Sequence, residues 1–313
     1  MNWESWLVPK NELITEERVL ALIRSIGWNC SLSRTFILSL MVRAILERPT
    51  QNGSRVSFFC DEKEFEEYWK HYFDLDRDYS AFVKAVLEEK QIGTEDTEMA
   101  EDDRRTVKDT GKADGSFLRA ACEYGSGIRL LNQDIWEMMI SFIISQQKQI
   151  PSIRKCIEAL CRRFGEEKDG YFAFPKPEKI AAAGPDGVKG LSLGYRERYI
   201  YETAVAYLER GVSDEEFRNM DFEDARKYLC SFCGIGEKVA NCICLFAGGF
   251  IDAFPIDVHI KDILYREYGD GSVPKDKMKP KDYCGLIEKN FGRYAGFKGI
   301  VQQWIFAYEL VRK

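Results

Sequence analysis

At 313 residues, with 45% apolar and 31% charged side chains, the chain has the balance of a globular protein and room for about two domains. No run reaches the roughly 18 apolar residues of a membrane helix, and the start, "MNWESWLVPKNE", lacks the basic-then-apolar layout of a secretory leader. A formal net charge of −6 argues against a large non-specific electrostatic grip on a polyanion.

The first fifty residues contain "EERVLALIRSIGW" and "RTFILSLMVRAILERP", both with apolar residues at helical spacing and neither with period-two alternation. A strand is predicted over Val56–Cys60, a helix from about Glu62 and a second from about Tyr79. Residues 93–115 hold no aromatic side chain and two large apolar ones, Met99 and Val107, the composition of a solvated linker. The expected division is therefore a smaller N-terminal α+β domain, residues 1–115, and a helical C-terminal domain, residues 116–313. The acidity belongs to the first part, with 16 basic and 23 acidic side chains; the second carries 29 and 28. Local phosphate contacts from backbone N–H donors thus stay open to residues 116–313.

Beyond the linker the text is helical. "DIWEMMISFIISQQ" is led by Asp134 as N-cap, and "IPSIRKCIEALCRRFG" has Pro151 early and Gly165 at its end. A Pro/Gly/Ala-rich connection, residues 174–194, leads to "YRERYIYETAVAYLERG". Then follow "FEDARKYLCSFCGIG", "EKVANCICLFAGG", "DVHIKDILYREYG", "KDYCGLIEKNFG" and "GIVQQWIFAYELVRK", about eight helices on short connections. Four of the ten cysteines, Cys156, Cys161, Cys242 and Cys244, lie in apolar helical text, which predicts reduced thiols in an intracellular compartment.

Chemistry concentrates in "CGIGEKVANCICLFAGGFIDAFPIDVHI", residues 233–260. Gly234 and Gly236 permit positive φ and close backbone approach, and a Gly-x-Gly turn feeding a helix offers unpaired N–H groups to a phosphate oxygen; the pair alone also suits a plain helical corner. Lys238 stands in the first helical turn, where the macrodipole disfavours an ammonium, with Cys242, Ile243 and Phe246 following on the helix. Such a setting suits a nucleophilic amine, although a lysine reaching into water fits the same text. Asp257 reads as the N-cap of "VHIKDIL", and a capped carboxylate can also steady a developing cation or take a proton. His259 could reach a phosphate or be an ordinary surface histidine.

The hairpin "GIGEKVANCICLFA" with "FPIDVHI" resembles the HhH-GPD superfamily of DNA glycosylases, and within it the 8-oxoguanine DNA glycosylase/AP lyase family. "YGSGIRLLNQDIWE", "FIISQQKQIPSIRKCIEALCRRFG", "LSLGYRERY" and "YAGFKGIVQQWIFAYEL" support the likeness. It covers residues 116–313, extends loosely into "EFEEYWKHYFDLDRDY" and stops before about Val56. The resemblance implies a mostly α fold and a bifunctional enzyme of base excision repair. Lys238 would attack the anomeric carbon of an extruded nucleotide, expel the base and form a Schiff base, with Asp257 supporting the positive sugar. Cys242 and Phe306 would sandwich the purine and Gln302 would read its Watson–Crick edge, although neighbouring Gln303 leaves that register open by one. Gln147 would fill the vacated space, Tyr195 wedge the stack and Arg196 donate to the estranged cytosine. Gly234, Gly236 and His259 would meet the phosphate backbone. The implied partner is double-stranded DNA with a damaged base, bound by a monomer in the cytoplasm or nucleoid of a bacterium or the nucleus of a eukaryote. No metal or organic cofactor is required.

Two departures bear on specificity, and two further features on rival readings. Ser152 stands where animal members carry a second cytosine-reading arginine, with Arg154 two positions on. No Gly-Gln-x-Phe-Arg-Trp turn occurs in residues 1–50, so the contact that separates 8-oxoguanine from guanine has no counterpart there. Only Cys284 follows Cys244, which excludes the C-terminal iron–sulfur signature of the endonuclease III branch. Lys238 argues against a monofunctional glycosylase that activates water. The remaining alternatives are a hairpin module that binds DNA without catalysis and a superfamily glycosylase with another lesion preference.

Overall fold

The computed structural model describes residues 61–88, 115–168 and 171–312. The predicted strand Val56–Cys60, the two helical stretches before it and all but the last residue of the 93–115 linker lie outside them.

The first described helix, α1 (residues 62–72), is capped by Asp61, whose side chain accepts from the Glu64 N–H at 2.8 Å. It passes through a π-helical stretch, Phe65–Trp69, before its last turn. Helix α2 (Tyr79–Leu87) is capped by Asp78. Both begin where their sequence patterns place them. Helix α3 (Ser116–Gly125) follows residue 115. Next is α4 (Ile135–Ser145), whose cap Asp134 accepts from the Glu137 N–H at 2.7 Å. Then come α5 (Ile150–Phe164) and a two-residue antiparallel pair, β1 (Glu167–Lys168) with β2 (Tyr171–Phe172).

The 174–194 connection is not irregular throughout, since it folds α6 (Pro177–Ala182) and α7 (Gly184–Gly187). The chain continues with α8 (Arg196–Arg210), α9 (Asp214–Arg218), α10 (Phe222–Cys230), α11 (Glu237–Phe246), α12 (Val258–Tyr268), α13 (Pro280–Phe291) and α14 (Lys298–Arg312). All eight expected helices form, and α3, α6, α7 and α9 add four. Three of the additions are six residues or fewer, too short for a helical period to declare itself.

Two compact units divide the chain, and neither is continuous in sequence. Among described residues the first holds 61–77 and 129–253. Its centre is α4, where every residue from Ile135 to Ile144 except Glu137 is buried, each large apolar side chain contributing about 1.5–3 kcal/mol of transfer free energy. Helices α5 and α11 pack on α4, and α10 on α11. Helix α1 is tied to this unit through backbone: the Asn132 N–H donates to the Tyr72 carbonyl at 2.9 Å and the Asn132 side chain to the His71 carbonyl at 2.8 Å.

The second unit holds 78–88, 115–128 and 254–312. Here α14 packs against α3 around Trp304, which is fully buried, and Gly125 leaves room for its ring; a Cβ there would lie 2.4 Å from it. Among the described residues no helix is long and apolar enough to cross a membrane.

Candidate active site

In the first unit the site residues gather around the turn between α10 and α11. Gly234 takes φ +80°, and a Cβ there would stand 2.5 Å from the Tyr199 ring, so glycine is required both by backbone and by packing. Gly236 differs from the expectation. Its φ of −96° is open to any residue and nothing lies near its missing Cβ, so it is the unobstructed, side-chain-free start of α11. Gly236 offers no capping side chain, so among the described residues the first N–H groups of that helix have no side-chain acceptor.

The turn is held from behind by two side chains that the sequence pattern did not single out. Gln146 donates from Nε2 to the Gly234 carbonyl at 2.7 Å, and the buried Thr203 hydroxyl donates to the Cys233 carbonyl at 3.1 Å. Gln146 follows the end of α4, and its neighbour Gln147 is exposed with φ +50°, a left-handed conformation uncommon for a side-chain-bearing residue.

The same Gln146 offers its backbone carbonyl to an amino group of Arg196, while the other amino group donates to the Leu193 carbonyl at 3.1 Å. Arg196 is only 5% exposed, and its Nε is buried without a partner among the described residues. Its guanidinium lies 4.3 Å from the ring centroid of Tyr195, which is 48% exposed. Lys148 adds a bond to the Ser192 carbonyl at 2.8 Å. The structure therefore brings Gln147, Tyr195, Arg196 and Gly234 into one connected assembly, bridged by Gln146.

Lys238 occupies the first turn of α11 and is exposed; its ammonium lies 5.5 Å from the Phe142 ring centroid and pairs with no carboxylate among the described residues. One turn on along the same face Cys242 is buried, as are Ile243 and Cys244 beside it, so the exposed amine stands at the edge of an apolar stretch, as the helical text leads one to expect. Burial pushes the Cys244 thiol up to about 12. It also raises Cys233, with help from a hydrogen bond to Glu202, to about 11. No cluster of three metal-ligating side chains occurs among the described residues.

In the second unit Asp257 caps α12, its Oδ1 accepting from the Ile260 N–H at 2.8 Å. The other carboxylate oxygen has no partner among the described residues. His259 stands two residues on, its ring 6.2 Å from that of Phe306 and steeply inclined to it at 72°. Gln302, one turn before Phe306 on α14, is 4% exposed. Its Nε2 faces the Pro255 carbonyl at 3.4 Å and its Oε1 accepts from Gln303 Nε2 at 2.5 Å. The pairing with Gln303 is a second feature that the sequence pattern did not expose.

Comparison with known proteins bears on the family of the chain. The family profile described as 8-oxoguanine DNA glycosylase, N-terminal domain, matches residues 24–139. The profile of the HhH-GPD superfamily base excision DNA repair proteins matches residues 140–286. The likeness thus begins at residue 24, ahead of the limit near Val56 drawn from motifs alone, and the two profiles meet inside α4.

The chain is 35% identical over 158 residues to the N-glycosylase/DNA lyase of Saccharomyces cerevisiae, a match covering 45% of this chain and 42% of that protein. It is 28% identical over 211 residues to the N-glycosylase/DNA lyase OGG1 of Arabidopsis thaliana, covering 64% and 57%. The matched regions therefore span about half the length of these relatives. Among solved structures, Clostridium acetobutylicum 8-oxoguanine glycosylase/lyase, in complex with double-stranded DNA containing cytosine opposite 8-oxoG, superposes with a TM-score of 0.66 at 26% identity, covering 85% of this chain and 81% of that one. Adjoining profile matches from residue 24 to residue 286, together with a shared helical architecture, establish that this chain belongs to the 8-oxoguanine DNA glycosylase family of the HhH-GPD superfamily.

Proposed function

We propose that the protein is a bifunctional DNA glycosylase/AP lyase that removes an oxidised purine, 8-oxoguanine foremost, from duplex DNA. The observation that carries this reading is Lys238: an exposed amine without a carboxylate partner among the described residues, in the first turn of a helix entered through the Gly234 turn. An exposed lysine opposite a carboxylate would spend its charge on that partner; this one keeps its nitrogen accessible.

In the proposed reaction the Lys238 amine attacks C1′ of the extruded nucleotide. The glycosidic bond breaks and its electron pair leaves with the base, which takes up a proton. Opening of the sugar gives a Schiff base to Lys238. Its cationic nitrogen acidifies the C2′ proton, and loss of that proton expels the 3′ phosphate oxygen and cuts the strand. Asp257 supports the positive sugar with the carboxylate oxygen that the helix cap leaves over.

Cys242, Phe306 and Gln302 form the proposed purine contacts. Gln147 and Tyr195 would fill and wedge the stack, and Gly234, Gly236 and His259 would meet phosphates. Arg196 is the proposed donor to the estranged cytosine; its amino groups are held by the Gln146 and Leu193 carbonyls, so that role requires their release. Duplex DNA as substrate sets the working compartment to the cytoplasm or nucleoid of a bacterium, or the nucleus of a eukaryote.

Borohydride trapping on 8-oxoguanine duplex tests the reading. The expected result is a covalent protein–DNA adduct that disappears in Lys238→Gln. DNA binding with no adduct from the unaltered chain would instead identify a non-catalytic hairpin module, and an adduct formed only on other damaged bases would identify a different lesion preference.

A further inference from the structure

We propose that Tyr199 is a positioning residue: its ring, seated on the backbone of the Gly234 turn, holds the Tyr195 ring in place as the wedge that enters the base stack. This rests on the reading of Tyr195 as that wedge.

A side chain that slips between two bases loses rotamer freedom as it enters. The loss is smaller when its ring is already held in the free protein. Tyr195 is 48% exposed, yet its ring is flanked on two sides. One neighbour is Arg196, whose guanidinium lies 4.3 Å from the Tyr195 ring centroid and is itself bonded to the Gln146 and Leu193 carbonyls. The other is Tyr199, with ring centroids 5.5 Å apart and planes inclined at 72°, the edge-to-face arrangement that aromatic quadrupoles favour.

Tyr199 can anchor its neighbour because it is held twice. Its backbone belongs to the first turn of α8, and its ring lies so close to the hairpin that a Cβ on Gly234 would stand 2.5 Å from it. That turn is fixed in its own right, by the Gln146 amide on the Gly234 carbonyl and the Thr203 hydroxyl on the Cys233 carbonyl. Tyr195, Tyr199 and Thr203 follow one another at the i, i+4, i+8 spacing of one helical face. Along that face Thr203 is buried, Tyr199 half-buried and Tyr195 exposed. Thr203 bonds the turn, Tyr199 packs on it, and Tyr195 rests on Tyr199. The wedge and the turn that leads to Lys238 thus share one support, and the Tyr199 ring rather than its hydroxyl makes both contacts.

Tyr199→Phe keeps the ring, whereas Tyr199→Met and Tyr199→Leu leave an apolar side chain without one. The measurement is single-turnover cleavage by the full chain, at a temperature where melts show every variant folded. One duplex carries 8-oxoguanine opposite cytosine; the other carries a preformed abasic site opposite cytosine and so has no base to unstack. The expected result is 8-oxoguanine excision slowed about fivefold in Tyr199→Met and Tyr199→Leu, on the scale of one aromatic pair, with abasic cleavage within about twofold and Tyr199→Phe unaltered on both. Tyr195→Ala should slow excision more, and adding Tyr199→Met to it should cause no additional loss, because no ring is left to hold. Undiminished excision by Tyr199→Met and Tyr199→Leu overturns the proposal. So does a parallel fall on both duplexes, which would assign the ring to the hairpin turn alone, and so does an equal loss in Tyr199→Phe, which would assign the hydroxyl to DNA. Additive losses in the double variant overturn it as well. Undiminished excision by Tyr195→Ala would overturn the wedge reading beneath it, and no excision by the unaltered chain would overturn the glycosylase reading itself.

Discussion

Gln146 and Gly234, 88 residues apart in sequence, are joined by a 2.7 Å hydrogen bond from the Gln146 amide to the Gly234 carbonyl. The same residue's own carbonyl receives Arg196. One glutamine thus links the end of α4, the turn before the lysine-bearing helix and the segment carrying Tyr195. Gln146→Met keeps the packing and deletes the donor. Its expected cost is about 1 kcal/mol in chemical denaturation, the net worth of one hydrogen bond. Affinity for abasic duplex should fall together with stability, because the turn and the Tyr195 segment lose a shared anchor; unchanged affinity would show that the link does not matter to DNA.

The two hairpin glycines should respond differently. Gly234→Ala meets a positive φ and the Tyr199 ring, so a loss of about 2 kcal/mol or more is expected. Gly236→Ala meets neither obstacle and should fold with unaltered stability. Any weakening of DNA binding in Gly236→Ala would then report close approach of a phosphate to that backbone. Thermal melts and salt-dependent binding isotherms of both variants make the comparison.

Asp257 combines a structural bond with a proposed chemical role, and two substitutions separate them. Asn keeps an oxygen for the Ile260 N–H, so Asp257→Asn should lose well under 1 kcal/mol of stability while excision falls on the order of 10²-fold. Ala removes the cap as well and should cost a further ~1 kcal/mol. Equal excision by Asp257→Asn and the unaltered chain would remove the carboxylate from the mechanism.

Thiol reactivity should follow burial. Cys122, Cys161 and Cys244 have thiols raised to about 12 by burial, whereas Cys284 is exposed. Near pH 8 almost none of the three is thiolate, so iodoacetamide should label Cys284 well before them, as read by peptide mass mapping. The buried thiols should react only on unfolding.

Much of the helical layout was legible in the chain itself. Asp134 and Asp257 read as caps from sequence and do cap the helices that follow, since capping is a matter of three or four neighbouring residues; Asp61 and Asp78, not singled out there, cap in the same way. The placement of Lys238 and Asp257 at helix starts was legible for a similar reason, because a short turn and its flanking residues mark where a helix begins. The helices α6, α7 and α9 were not, because one or two turns carry no period. Nor could a positive φ at Gly234 be told from the extended backbone of Gly236, or the Tyr199 ring be foreseen beside the first and not the second.

Other features belong to tertiary structure alone. Residues 61–77 gather with 129–253, and 78–88 and 115–128 with 254–312, a grouping that no local composition announces. The Gln146 bond to Gly234 and the Pro255 contact with Gln302 join residues far apart in the chain, and a glutamine's text is the same whether its amide faces water or a buried carbonyl. Local sequence determines caps, periods and turns because their energies arise among near neighbours. Which amide is bonded, and to what, is decided only when distant backbone closes around it and excludes water.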